Sequence, residues 1–260
     1  MRNVFAIIER ELRAYFSSPI AYVMLTGFLF LSGIVFQGLL REIMDYQLRS
    51  AMQSAQAGPR PIDAPGIISS QYLSTVSVLL LFMVPMITMG LFAEEKRRGT
   101  IELLLTAPIT DLQVVLGKFL SAVSFFVILL ASTLIPMSIL YIYANPAPAS
   151  GPIFTIYLGI FLYGLSIVSI GVFVSTLTEN QIISGILGFV IALGLWFFDL
   201  LSRGAEEPTK SILEYLSVIN HLNDFMKGVI SSSHIIFYLS LMLVGLFLTY
   251  RSIDSLRWRG

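Results

Sequence analysis

The sequence has no cysteine, which excludes a disulfide, a thiolate metal site and a cysteine nucleophile. Its two histidines, His221 and His234, leave little for a metal cluster. Charge is scarce. Only 12% of the 260 residues are Asp, Glu, Lys or Arg, about half the usual quarter. Sixteen bases balance sixteen acids, so no electrostatic preference for nucleic acid or acidic substrates follows. Chemical signatures are missing too. Gly117-Lys118 lacks both the upstream glycine and the following Ser or Thr of a phosphate-cradling loop. HExxH and GxSxG do not occur, which disfavours a zinc protease or a serine hydrolase. None of the long apolar stretches carries a charge in its middle, which disfavours an ion-driven pump.

What the chain has in quantity is apolar sequence: 56% hydrophobic residues and a mean hydropathy of +0.82. A spanning helix needs roughly 20 apolar residues. Six stretches meet or approach that, at about 20–40, 72–92, 119–143, 153–177, 182–200 and 232–250. The expectation is an all-α integral membrane protein, one domain over 1–260. The first stretch is longer than a signal-peptide core and lacks a small-x-small cleavage site, so it reads as a retained span. Pro85 and Pro136 fall inside spans and are expected to kink them.

Basic residues distribute unevenly across these spans. Arg2, Arg10, Arg13, Lys96, Arg97, Arg98, Lys118, Arg251, Arg257 and Arg259 collect on one side, against Arg41, Arg49, Arg60, Arg203, Lys210 and Lys227 on the other. The excess marks the cytoplasmic side, which places both termini and the 93–110 loop in the cytoplasm.

Three segments outside the spans carry pattern. In 1–18, Val4, Phe5, Ile8, Leu12, Tyr15 and Phe16 recur at helical spacing opposite Arg2, Glu9, Arg10 and Arg13, an amphipathic helix suited to the membrane interface. Ser17-Ser18-Pro19 favours a break before the first span. In 206–231, Ile212, Tyr215, Leu216, Ile219, Leu222, Phe225, Met226 and Val229 give one amphipathic helix or two short ones on the outer face, lying in the interface or dipping back as a lid. The 41–70 loop starts polar and helix-competent, then turns irregular at Gly58–Gly66. Small residues at Ser184, Gly188 and Ala192, and at Gly171 and Ser175, permit close helix approach.

The densest polar stretch is Phe92-Ala-Glu-Glu-Lys-Arg-Arg-Gly-Thr-Ile-Glu-Leu-Leu-Leu-Thr-Ala-Pro108. Glu94, Glu95, Lys96, Arg97 and Arg98 are expected to continue the second span helically. Gly99 can end that helix in the left-handed conformation. Thr100 then offers a cap and Glu102 a first-turn negative charge for a short helix over Ile101–Thr106, stopped at Ala107-Pro108. Helices this short are marginal alone. Leu103, Leu104 and Leu105 therefore rest either in a partner's groove or under the protein's own spans.

This stretch, with Ile109-Thr-Asp111 and Val115-Leu-Gly-Lys-Phe119 after it, resembles the signature of ABC-2 type permeases, the membrane subunits of type V ABC exporters. The opening, with Glu9-Arg-Glu-Leu12 and Ser17-Ser-Pro-Ile-Ala-Tyr22, is similar to the gliding-motility (Gld-type) branch. The resemblance covers the whole chain and implies a six-helix permease bundle in the bacterial inner membrane. It implies that Glu94, Glu95, Arg97, Arg98, Gly99, Thr100, Ile101, Glu102, Leu103, Leu104, Leu105 and Pro108 form the coupling helix that docks on a separate ATP-binding subunit. Glu179, in the Thr178-Glu-Asn-Gln181 turn, would be a second cytoplasmic contact. On this reading the chain binds no cofactor itself. ATP and Mg sit on the partner, a second permease copy or related chain completes the pathway, and an auxiliary envelope protein is a further candidate partner. Rival readings are force transmission to an envelope machine, a channel or scaffold without an ATPase, and a membrane-embedded enzyme.

Overall fold

The computed structural model describes residues 2–53, 63–102 and 109–257. Among these every regular element is a helix. In chain order they are α1 (Arg2–Ser17), α2 (Pro19–Gln53), α3 (Ala64–Thr88), α4 (Ala93–Arg97), α5 (Asp111–Ser132), α6 (Leu134–Tyr143), α7 (Ser150–Ser175), α8 (Gln181–Ser202), α9 (Thr209–Leu216), α10 (Val218–Met226) and α11 (Ser232–Arg257). Six segments are long and apolar enough to cross a membrane: Pro19–Arg49, Ala64–Arg97, Asp111–Tyr143, Ser150–Ser175, Gln181–Ser202 and Ser232–Ser255.

The bundle is built around α7, which packs against α3, α5, α8, α10 and α11. Its own sequence explains that position. A Cβ at Gly164 would fall 2.0 Å from the Phe126 ring of α5, and one at Gly171 would fall 2.2 Å from the Thr88 hydroxyl of α3. Small residues thus let two neighbours approach the α7 backbone directly. On α8 the Ser184, Gly188 and Ala192 stripe is the buried face, and Gly188 lies opposite Pro85 of α3. The stripe therefore serves packing within the chain. The rest of α8 and most of α2 present large apolar side chains outward, among them Val23, Phe30, Ile182, Ile186 and Val190.

Several boundaries differ from the pattern reading. The α2 helix continues through the polar 41–53 segment. Its 35 residues give a length of ~52 Å, beyond a ~30 Å hydrocarbon core. The α3 helix starts at Ala64, earlier than the expected 72, because the Asp63 carboxylate accepts from the Gly66 amide at 3.0 Å and Pro65 occupies the first turn. Pro85 does not interrupt α3. Pro136 does break the third span, one turn upstream at Thr133, because it has no amide to give the Ser132 carbonyl. The Thr133 hydroxyl donates to Leu130 O (2.6 Å) and meets Tyr157 Oη (3.0 Å). The outer segment is two helices parted at Ser217, which caps α10 through the Asn220 amide.

Chain separation at Ser18 frees α1 to lie against α5. The face it buries is not centred where the apolar pattern put it. Ile7 is the buried residue and Phe5 is 68% exposed. Ile7 closes on Gly117 of α5, where a Cβ would come within 2.7 Å of its side chain. The rings of Tyr15 and Phe16 pack at a tilt against Phe125, their centres 5.3 and 5.9 Å from its own.

Candidate functional site

The charged stretch after the second span sits at the same end of the bundle as α1 and the turn between α7 and α8. It does not continue α3 smoothly, contrary to the pattern expectation. Residues 89–92 form turns, and α4 restarts at Ala93. The backbone bonding explains the break. Leu91 N donates to Thr88 O at 3.2 Å, one residue short of the α-helical partner Ile87. The Ile87 carbonyl is taken instead by the Tyr15 hydroxyl of α1 at 2.8 Å. The next two amides, Phe92 N and Ala93 N, both donate to Ser175 Oγ at the end of α7, at 2.7 and 3.3 Å. One hydroxyl thus satisfies two buried donors that the broken helix leaves over.

The far end of α4 follows the expectation closely. Gly99 has φ 69°, Gly99 N donates to Lys96 O (3.1 Å) and Thr100 N to Glu95 O (3.0 Å). That is a complete Schellman motif. Ile101 and Glu102 are helical. Leu103, Leu104, Leu105 and Pro108 lie outside the described residues.

Between these two ends α4 is held on three sides. Lys118 of α5 is 1% exposed. Its Nζ reaches Glu11 Oε1 of α1 at 3.1 Å, Glu95 Oε1 of α4 at 3.0 Å and the Leu91 carbonyl at 2.5 Å, and lies 5.0 Å from the centre of the Phe92 ring. Arg10 closes the cluster from outside, 2.6 Å from Glu11 and 2.9 Å from Glu95. Two cations and two carboxylates thus join α1, α4 and α5 with no net charge. The other oxygen of Glu95 is buried without a hydrogen-bond partner. On the third side Lys96 Nζ donates to Thr176 O (2.5 Å), and Gln181 donates to Glu94 Oε2 (2.8 Å). Thr176 in turn donates to Ser252 of α11 at 2.8 Å.

The expected site residues therefore divide into two groups. Glu94 and Glu95 are half-buried and bonded within the protein. Arg97, Arg98, Gly99, Thr100 and Glu102 are exposed, with Ile101 between. Arg98 keeps an ion pair to Glu94 one turn back. Glu179 is exposed and lies across a hollow of about 420 Å³ from Arg97, with Asn180, Gln181 and Ile182 as its other lining. Arg97 and Glu179, 82 residues apart, line one hollow, so the stretch and the short turn share a surface.

Pattern reasoning missed Lys118 and Glu11. Lys118 counted only as a basic residue near a span end, yet it is the eighth residue of an apolar helix, where a cation needs partners. Glu11 falls on the flank of the apolar arc of α1, between Ile7 and Tyr15. Burial works to raise the Glu11 pKa, but Lys118 and then Arg10 outweigh it and hold it below the usual carboxylate range. A depressed folded-state pKa stabilises above the unfolded value and is lost as pH falls through the folded one. The α1 attachment is therefore expected to persist at neutral pH and to loosen on acidification below the usual carboxylate range. Protease accessibility of α1 measured along an acid titration checks this, and Glu11→Gln should weaken that pH dependence, Arg10 still holding α1 to Glu95.

A family model described as ABC-2 family transporter protein matches residues 5–252. Two curated proteins, each named "Probable multidrug ABC transporter permease YbhR", from Escherichia coli (strain K12) and Escherichia coli O157:H7, are 26% identical to the chain over 164 residues. That alignment covers 60% of this chain and 42% of each of theirs, so the chain spans about two fifths of the length of these relatives.

Proposed function

The chain belongs to the ABC-2 family of transporter proteins, and from that premise we propose that it is the membrane-spanning permease subunit of an ATP-driven exporter of the bacterial inner membrane. In this reading ATP and Mg bind a separate cytoplasmic subunit. The surface made by Arg97–Glu102 and Glu179 receives that subunit, and Glu94, Glu95 and Lys118 carry its movement inward. The observation that carries the proposal is the form of the α4 attachment. Exposed charges on its outer side are joined, within one turn, to a buried cation shared by α1, α4 and α5. A push on α4 cannot be absorbed locally, because each tether leads to a different helix. Through Thr176 the same end also reaches α11.

Basic residues support a cytoplasmic placement of this end. Without the buried Lys118, nine lie on this side against six on the other. The outward apolar faces of α2 and α8 suit a second permease copy, identical or related. The multidrug description of the relatives and the Gld-type resemblance of the opening leave export and force transmission as two uses of the same coupling device. The substrate is a matter for a search that starts from the assembled complex.

The test is co-purification of the chain with an ATP-binding protein from its native membranes, with ATPase activity as readout. Arg97→Glu combined with Arg98→Glu is expected to lower association at least tenfold, several charge-assisted contacts of ~1.5 kcal/mol or more each being lost. A complex that forms and hydrolyses ATP as well with the charge-reversed chain would refute the docking assignment. Failure of the unaltered chain to associate with any ATP-binding protein would favour the channel or scaffold reading instead.

A further inference from the structure

The two histidines are 13 residues apart in sequence and in direct contact at the end of the bundle opposite α4. His221 Nδ1 and His234 Nδ1 lie 2.6 Å apart. Each ring's other nitrogen has its own partner: His221 Nε2 is 2.9 Å from the Tyr215 carbonyl, and His234 Nε2 is 2.9 Å from Asp224 Oδ2. Lys227 reaches the second Asp224 oxygen at 3.2 Å.

These partners fix the protons. A carbonyl oxygen only accepts, so His221 Nε2 carries a hydrogen. A carboxylate only accepts, so His234 Nε2 carries one too. The facing Nδ1 atoms at hydrogen-bond distance then need one hydrogen between them. The line is complete when His234 is an imidazolium donating to Asp224 and to a neutral His221. With one proton fewer, either two lone pairs face each other or a lone pair faces the carboxylate or the Tyr215 carbonyl. With one more, two N–H groups of like charge meet at 2.6 Å.

The line also has a mechanical position. His221 and Asp224 lie one turn apart on α10, Tyr215 on α9, and His234 in the first turn of α11. His221 is buried and stacks on Phe237 at 3.8 Å, and Tyr238 donates to Val218 O at 2.7 Å. On the other side Phe225 fills the space above Gly159 of α7. Of the other charges on α8, α9 and the turn that joins them, Lys210 pairs with Glu214 and Asp199 with Arg203, and Glu206 and Glu207 are exposed. The half of α7 that faces the pair, 150–164, carries no charge. Asp224 keeps 41% of its side chain exposed, so protons reach the line from solvent.

We infer that Asp224, His234 and His221 form a proton-operated latch that pins α9 and α10 onto α11 while the imidazole pair holds one extra proton, and releases them when that proton is lost or a second is gained. This goes beyond the permease reading and does not depend on it. Burial of His221 opposes its protonation more than the Tyr215 carbonyl favours it, so its pKa is lowered, and hydrogen bonding by His234, then Lys227, lowers that of Asp224. Both directions keep the one-proton state intact toward acid. The ring protons belong to the pair and not to either residue.

A full-length chain labelled with ¹⁵N-histidine in lipid nanodiscs tests this, because it contains only these two rings. At neutral pH the spectrum is expected to show one imidazolium and one neutral ring protonated at Nε2. Asp224→Asn should return the imidazolium to the neutral form without changing the helix content. Hydrogen exchange over 209–231, corrected for its intrinsic pH dependence, should accelerate about tenfold or more on either side of the latched range, as expected when a charged hydrogen bond is lost. His221→Phe, which keeps the stack on Phe237, should abolish that pH dependence. Two neutral rings at neutral pH, two independent titrations, or pH-independent exchange would overturn the latch. So would rings that respond to added Zn²⁺ and not to pH.

Discussion

Lys118→Met should destabilise the protein by about 3–5 kcal/mol, the cost of removing one partner from a buried ion pair. The variant leaves the mostly buried Glu11 and Glu95 facing each other, with only Arg10, 53% exposed, to balance them. It also leaves the Leu91 carbonyl without its cationic donor. The expected result is a large fall in thermal or denaturant midpoint and release of α1 to protease. Replacing the carboxylates as well, in Lys118→Met, Glu11→Gln, Glu95→Gln, should recover most of the stability, because no uncompensated buried charge remains. That triple variant should still fail to couple, since the tether between α1, α4 and α5 is gone. Full stability in the single variant would mean that the cluster is solvated and holds nothing together.

Ser175→Ala is the second large effect. Phe92 is 1% exposed and Ala93 is 0% exposed, so their amides cannot turn to water when the serine oxygen is removed. Each unsatisfied buried donor costs about 1–3 kcal/mol, which makes the break at 89–92 expensive. The cheapest escape is for α3 to close its own hydrogen bonds through the break, and that rotates α4. Lys96 would then leave Thr176 O, and Glu95 would leave Lys118. A midpoint loss of about 2 kcal/mol or more is expected, with slower hydrogen exchange at 89–92 and a loss of ATPase stimulation in the assembled complex. An unchanged exchange pattern would show that the break is held by something other than Ser175.

Much of this architecture is legible in the sequence. Six apolar runs give six spanning segments, because length and hydropathy are local properties. The stop at Gly99 and the start after Ser18 were likewise readable, since a left-handed cap and a proline restart depend on the residues at hand. The division of the charged stretch was not. Glu95 and Arg97 look alike in sequence, and only the arrival of Lys118 from 23 residues on and Arg10 from 85 residues back turns one inward. The helix break at 89–92 was hidden for the same reason, its cause being a serine on α7. The histidine pair is invisible to a count of metal ligands, because two make no cluster; only the fold brings the two rings together with a partner for each outer nitrogen. In the fold of α1, the apolar arc was visible but its orientation was not. Which edge of the arc faces α5 is decided by the gap at Gly117.

The absence of cysteine permits the most direct test of the central claim. Single cysteines at Thr100 and Glu179, and a control at Ser211 on α9, carry a photoactivatable benzophenone in membranes that hold the ATP-binding protein. Cross-links to that protein from Thr100 and Glu179, increased by ATP and absent from Ser211, are the result expected if the α4 surface is the docking site. Cross-links from Ser211, or none from Thr100 and Glu179 in a complex that hydrolyses ATP, would contradict it.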